Sequence, residues 1–241
     1  APDSTFAVSD LSSPARAGTF KSAFRPAYFN GTTSHIYFGN AVGTVAEDTN
    51  YPYFVLSFWF RPATIPTTAM TLINIPVYST YTGIDATYIS DGGTGASIRC
   101  RARSYNDTLR TSTYTFTSSP VDTWVHVAFS VKYDTNSSGY IQLYINGELV
   151  DKQTGLDFSY AYFNYAATPT HKDVVGARHY GATVTELYQG YLSLLTLHYS
   201  DDENLTSVYP AARYNAICNG VRDVHSHSVS STLFSANNLR I

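Results

Sequence analysis

Only four glutamates occur in the chain, Glu47, Glu148, Glu186 and Glu203. Cleavage of a glycosidic bond needs two carboxyl groups facing each other across it. On a strand, residues i and i+2 share a face, so an acid pair at that spacing is the natural signature. The sole such pair is Asp201 with Glu203, in the turn sequence DDEN, where a solvated turn or helix cap explains both. His126 lies in a strand on the face of Ala128 and Ser130, where a hydrogen-bonded sheet histidine is expected rather than an acid or base. His225 and His227, near Cys218, lack the further ligands at suitable spacing that a metal site needs. No phosphate-binding glycine loop, dinucleotide fingerprint or Ser-His-Asp arrangement is present. The chain therefore reads as a non-enzyme. Its richer chemistry is aromatic. Tyr160, Tyr162, Phe163 and Tyr165 crowd one segment, and Tyr78, Tyr81 and Tyr88 another. Tyrosine offers a flat apolar face and a polar tip, suited to sugar rings or protein interfaces.

Composition narrows the classes further. The 241 residues are 44% hydrophobic but only 14% charged, with 21 Tyr and 13 Phe, a strand-forming rather than helical balance. Net charge is -3, and Arg99, Arg101 and Arg103 alternate on one strand face instead of forming a basic tract, so nucleic acid is not an expected partner. No apolar run approaches the roughly 18 residues of a membrane span. The first residues, APDSTFAVSD, lack a signal-peptide layout and fit either a mature end after cleavage or a start without its Met. Cys100 and Cys218 leave two readings open, a disulfide tying the tail to the sheet or two buried free thiols. The glycosylation sequons at Asn30, Asn106, Asn136 and Asn204 all sit in turn-like context, but so Ser/Thr-rich a chain yields about that many by chance.

The elements that must position these residues are strands. Val125, Val127, Phe129 and Val131 share one face, and Asn146-Gly147 marks a tight hairpin because both central residues need positive φ. Tyr53 to Arg61, YFVLSFWFR, is apolar on both faces and predicts a central strand. AYFNGT and SHIYFG predict a first strand pair about a Gly-Thr turn. Further strands are expected near 70–75, 84–90, 96–103, 109–116, 173–177 and 188–199, with Tyr191, Ser193, Leu195, Leu197 and Tyr199 on one face of the last. Residues 201–212 have room for one short helical turn. Residues 1–19 and 213–241 read as arms flanking a domain at 20–212.

Three stretches resemble the concanavalin A-like jelly roll in its laminin-G-like branch. AYFNGTTSHIYFG is similar to the family's opening strand, YFVLSFWFRP to its "f-t-l-s-f-W-f-r" strand, and DTWVHVAFSV with IQLYINGELVD to its "W-h-H-V-a … l-Y-i-N-G" hairpin. GYLSLLTLHYSDDENLTSVY is more loosely similar to its closing strand. The resemblance implies an all-β, antiparallel two-sheet jelly-roll sandwich, here with extended N- and C-terminal arms. The glucanases of the fold use an E-x-D-x-E strand that is missing here, as are the signature strands of its alginate lyases. Calcium is the ion the resemblance implies, with Asp85, Asp91, Asn106 and Asp107 as candidate ligands near turns. Taken together, these readings predict a non-catalytic structural or surface protein assembled in many copies, on a virion surface or in an extracellular filament, with structural subunits and glycans as partners. A monomeric lectin or adhesion module is the alternative.

Overall fold

The computed structural model of the chain describes residues 5–7, 19–21, 26–39, 52–77, 80–103, 109–158, 173–180 and 183–218. Its strands, in chain order, are β1 (Thr5–Ala7), β2 (Thr19–Lys21), β3 (Ala27–Asn30), β4 (Ile36–Gly39), β5 (Tyr53–Pro62), β6 (Met70–Val77), β7 (Thr80–Ser90) and β8 (Ala96–Arg103). There follow β9 (Leu109–Thr115), β10 (Val125–Lys132), β11 (Asp134–Ile145), β12 (Glu148–Phe158), β13 (Asp173–Val175), β14 (Arg178–Tyr180), β15 (Thr183–Thr185) and β16 (Gln189–Ser200). Two helices close the described chain, α1 (Asn204–Ser207) and α2 (Tyr209–Cys218).

Two six-stranded antiparallel sheets face each other. Sheet 1 has the order β12-β11-β10-β5-β16-β3 and sheet 2 the order β4-β13-β6-β7-β8-β9. Alternation decides what lies between them. Phe54, Leu56, Phe58 and Phe60 of β5 point inward with Val127, Phe129 and Val131 of β10, against Ile84, Ala86, Tyr88, Ile98 and Cys100 of sheet 2. Each large apolar side chain of the layer stabilises the fold by about 1.5–3 kcal/mol relative to exposure, so this layer dominates. The sheets are joined at one edge, where the Ser112 hydroxyl donates to Asp151 Oδ2 at 2.6 Å and Gln153 Nε2 donates to the Thr111 carbonyl at 2.6 Å.

The sandwich, the central position of β5 and the hairpin at Asn146-Gly147 (φ +51° and +82°) agree with the sequence reading. Three features differ from it. The expected first strand pair is split, with β3 pairing β16 in sheet 1 and β4 pairing β13 in sheet 2. The turn between them is what redirects the chain. Asn30 Oδ1 accepts the backbone N–H groups of Thr32, Thr33 and Ser34 at 2.9–3.0 Å, capping a local turn instead of a hairpin. The expected alternation along β16 also fails, because Leu194 (φ +51°) and Leu195 together oppose the single Phe58. This bulge lets Leu192, Leu195 and Leu197 all reach the core. Finally, 201–218 forms two helices rather than one turn, so the packed domain continues past residue 212. β1 and β2 pair with each other, which gives part of the N-terminal arm a strand.

Candidate functional site

The outer face of sheet 1 is built by the outward parity of its strands. At one end, register partners set Tyr28 of β3 beside Tyr191 of β16, and Tyr191 beside Arg61 of β5. Trp124, just before β10, continues the row. The Tyr28 and Tyr191 ring centroids are 4.9 Å apart, Arg61 lies 5.7 Å from the Tyr191 ring, and Trp124 lies 6.4 Å from it. Tyr28 is 52% exposed. Arg61 is pinned from behind, since its Nε donates to the Asp122 carbonyl at 3.0 Å and Nη2 to Asp122 Oδ1 at 3.1 Å. Gly190 (φ +142°) makes this approach of β16 to β5 feasible, because a Cβ there would collide with the Arg61 carbonyl oxygen. A cation fixed against mutually tilted rings is a preorganised, half-wet aromatic platform.

The centre of that face is covered. α1 and α2 lie across it, burying Val55, Ala128, Tyr144, Leu205 and Tyr209 together. Tyr140 shares a 2.6 Å hydrogen bond with the Thr206 hydroxyl, and Tyr209 shares one of 2.8 Å with His198 Nε2. Tyr214 stacks on Trp59 with centroids 5.7 Å apart, over Gly147, where an added Cβ would stand 2.6 Å from the ring. Beneath it, Ser57 Oγ and His126 Nε2 are 2.9 Å apart. A serine–histidine contact of this kind would suggest a nucleophile, but both residues are fully buried and the Tyr214 ring lies 5.7 Å from the imidazole. It is a core contact, and His126 is the hydrogen-bonded sheet histidine expected. The pair was not anticipated, although aligning YFVLSFWFR with WVHVAFSV as antiparallel neighbours places the two side chains on one face.

The outer face of sheet 2 is polar and charged. Asp85, fully buried, receives Arg101 through Nε at 2.9 Å and Nη2 at 2.6 Å, and Arg178 through Nη2 at 3.0 Å. Arg178 Nε also donates to Glu186 Oε2 at 2.9 Å, and the Thr71 hydroxyl bonds the same oxygen. Asp85 and Glu186 thus share one guanidinium, so the two carboxyl groups stand on either side of Arg178. Both oxygens of Asp85 and Oε2 of Glu186 are bonded to arginine, so the arrangement is an ion-pair network. Arg99 is the third guanidinium here, two residues before Arg101. Burial, then the Arg101 charge, lower its pKa below the ordinary arginine value.

The residues singled out from sequence are dispersed. Tyr88 is fully buried, its ring 5.7 Å from Phe60, because β7 alternation turns 84, 86 and 88 inward; it is a core residue, not a binding aromatic. Tyr78, Tyr160, Tyr162, Phe163 and Tyr165, and the side chain of Tyr81, lie outside the described residues. Of the calcium candidates, Asp85 is occupied by two arginines, and Asp91 caps its own turn by accepting the Gly93 and Gly95 N–H groups at 2.8 and 3.1 Å. Six residues of strand separate them, about 20 Å. Asn106 and Asp107 lie outside the described residues, among which no group of three or more His, Cys, Asp or Glu side chains could hold a metal. These two aspartates do not fit the ion. Cys100 is a free, buried thiol whose pKa burial pushes well above its usual range, so it stays neutral; the Cys218 side chain lies outside the described residues. Among the sequons, Asn30 spends its amide on the turn described above and donates to the Thr33 hydroxyl at 3.0 Å, while Asn204 opens α1 on the exposed surface. Asn106 and the Asn136 side chain lie outside the described residues.

Comparison with known proteins places the fold. No curated protein sequence matches the chain. A heptameric SAP-like pentraxin from Limulus polyphemus superposes with a TM-score of 0.53 at 12% identity, over 81% of this chain and 83% of the pentraxin. The receptor-binding domain of botulinum neurotoxin type G superposes with a TM-score of 0.51 at 12% identity, covering 84% of this chain. A W1238A mutant described as HCR/D gives 0.53 at 14% identity and covers 83%. The chain spans about half the length of these last two, 49% in each case. Residues 30–193 match the laminin-G-like model described as the concanavalin A-like lectin/glucanases superfamily. With most of its length inside that match and both jelly-roll sheets in place, the chain belongs to the laminin-G-like branch of the concanavalin A-like lectin/glucanases superfamily.

Proposed function

We propose that the domain is a non-catalytic carbohydrate-binding module that receives sugar rings on the aromatic row of Tyr28, Tyr191 and Trp124. The observation that carries this is the row itself: tilted rings, with Tyr28 exposed and Tyr191 and Trp124 half-buried, at an end of sheet 1 that α1 and α2 do not cover, with a pinned arginine for hydroxyl oxygens. A pyranose presents axial C–H groups to such a face and its hydroxyls to the arginine. The family's lectin members and the receptor-binding role in the toxin domains' names support recognition over catalysis. So does the ion-pair network that occupies Asp85 and Glu186. An extracellular location accords with this role. Among the described residues no helix is long and apolar enough to cross a membrane. Assembly in many copies, on a virion or in a filament, is the weaker reading, because the described part of the C-terminal arm belongs to α2, whose Tyr214 packs on its own sheet. A glycan array decides. The wild-type chain is expected to bind a subset of oligosaccharides, and Tyr191→Ala to lose at least ten-fold in affinity for them. An array without hits, or binding that survives Tyr191→Ala and Tyr28→Ala together, rejects the reading.

A further inference from the structure

We infer that the outer face of sheet 2 carries a second binding site, centred on Arg99, for the carboxylate or sulfate group of an acidic glycan. Among the described residues, three guanidiniums lie there with two carboxylates. Arg101 and Arg178 share Asp85, and Arg178 also holds Glu186. The positive charge left over belongs to Arg99, which makes no ion pair or side-chain hydrogen bond among the described residues. Its Nε is buried and without a hydrogen-bond partner. Directly opposite on β7 is Thr87, whose buried hydroxyl is likewise without a partner. On the other flank β9 places the exposed Thr113 against Arg99.

Buried polar atoms in folded proteins are nearly always satisfied, and exceptions call for an explanation. Here two exceptions share one face of two neighbouring strands, and one is a cation in partly desolvated surroundings. An oxyanion answers both, accepting from the guanidinium fork and from the threonine hydroxyl. A small side-chain rotation of Arg99 would bring its Nε edge to the ligand. The surroundings favour a sugar as carrier of that anion. Thr111 and Thr113 line the exposed flank of β9 between Leu109 and Thr115, whose hydroxyl is shared with Ser97, and their hydroxyls match sugar hydroxyls. The site lies on the opposite sheet from the aromatic row, so each can fail without the other.

The test titrates the full chain with oligosaccharides of equal length bearing uronate carboxylates, sulfate esters or neither, and with an acidic peptide of equal charge. Arg99→Met is expected to weaken the acidic glycans at least ten-fold and Thr87→Val several-fold. Lys152→Met, the same charge change at an exposed position on β12, should leave them within two-fold. The uronate and sulfate arms separate the two anion sources. Arg99→Lys keeps the charge but not the fork, so it should also bind more weakly, and it serves if Arg99→Met fails to fold. The inference is overturned if no acidic glycan binds, if Arg99→Met and Arg99→Lys leave acidic-glycan binding unchanged, if Lys152→Met costs as much, or if the acidic peptide binds as well as the sugars. Neutral-glycan binding in any of those cases leaves the aromatic-row reading standing.

Discussion

At the scale of single residues, Asp85 shows how one carboxylate can organise a face. It is fully buried, yet two arginines from separate elements give its oxygens three hydrogen bonds. The net value of such a group lies less in attraction than in what its removal strands. Asp85→Ala leaves Arg101 and Arg178, whose side chains are 15% and 11% exposed, without the counter-charge they share. The loss expected is about 3–5 kcal/mol, the range for breaking a buried pair from one side. Urea unfolding should show it as a lower midpoint at unchanged slope. A loss below about 1 kcal/mol would mean that water reaches the network and that Glu186 alone suffices for Arg178. The sequence offered Asp85 as a metal ligand because an acid near a turn looks free. Arg178, which engages it, and Glu186, which holds Arg178, come from a hairpin more than 90 residues later, and no local pattern announces that contact.

Among the elements, the helical strap is the one the sequence left smallest. Its pattern is short and only weakly amphipathic, so its helicity comes from docking on sheet 1 rather than from propensity. Tyr214 is the far anchor. Tyr214→Ala should destabilise the protein by about 2 kcal/mol through lost packing, and it should shift and quench the fluorescence of Trp59, one of only two tryptophans. Unchanged emission would show that α2 is not seated on Trp59 in solution. The near end of the strap carries a pH dependence. Burial, the leading cause, raises the Tyr140 pKa to about 12, above the usual value of 10, while its bond to Thr206 pulls the other way. Between pH 10 and 12 the unfolded chain has therefore lost this proton and the folded chain has kept it. The tyrosine's contribution to stability is full below pH 10 and declines as pH rises to 12. Tyr140→Phe should flatten that alkaline decline; an identical slope in the variant would assign the decline to other tyrosines. Strands were far more legible than the strap. Alternation placed β5, β8 and β10, and the Asn146-Gly147 dipeptide placed the hairpin of β11 and β12, because both signals are local. The split of β3 from β4 and the bulge at Leu194 were not legible, since each is decided by which sheet the neighbouring strand joins.

In the whole molecule, the sandwich presents two outer faces of different chemistry, separated by a core layer about 10 Å thick. The family and its two sheets could be read from motifs along the chain. The candidate sites could not, because each is a row across strands: Tyr28, Tyr191, Arg61 and Trp124 meet through the order β3-β16-β5-β10, and Thr87, Arg99 and Thr113 through β7-β8-β9. That separation makes a final prediction. The two rows share no residue and no strand, and an apolar layer lies between them. Substitutions that far apart with no common partner combine additively to within about 0.3–0.5 kcal/mol. The double variant Tyr191→Ala, Arg99→Met should therefore lose neutral-glycan binding as Tyr191→Ala does alone and acidic-glycan binding as Arg99→Met does alone. A coupling above about 1 kcal/mol in either titration would mean that one extended ligand engages both faces around a sheet edge, or that two copies of the domain share it. Sedimentation of the complex tells these apart, because only the second doubles the mass.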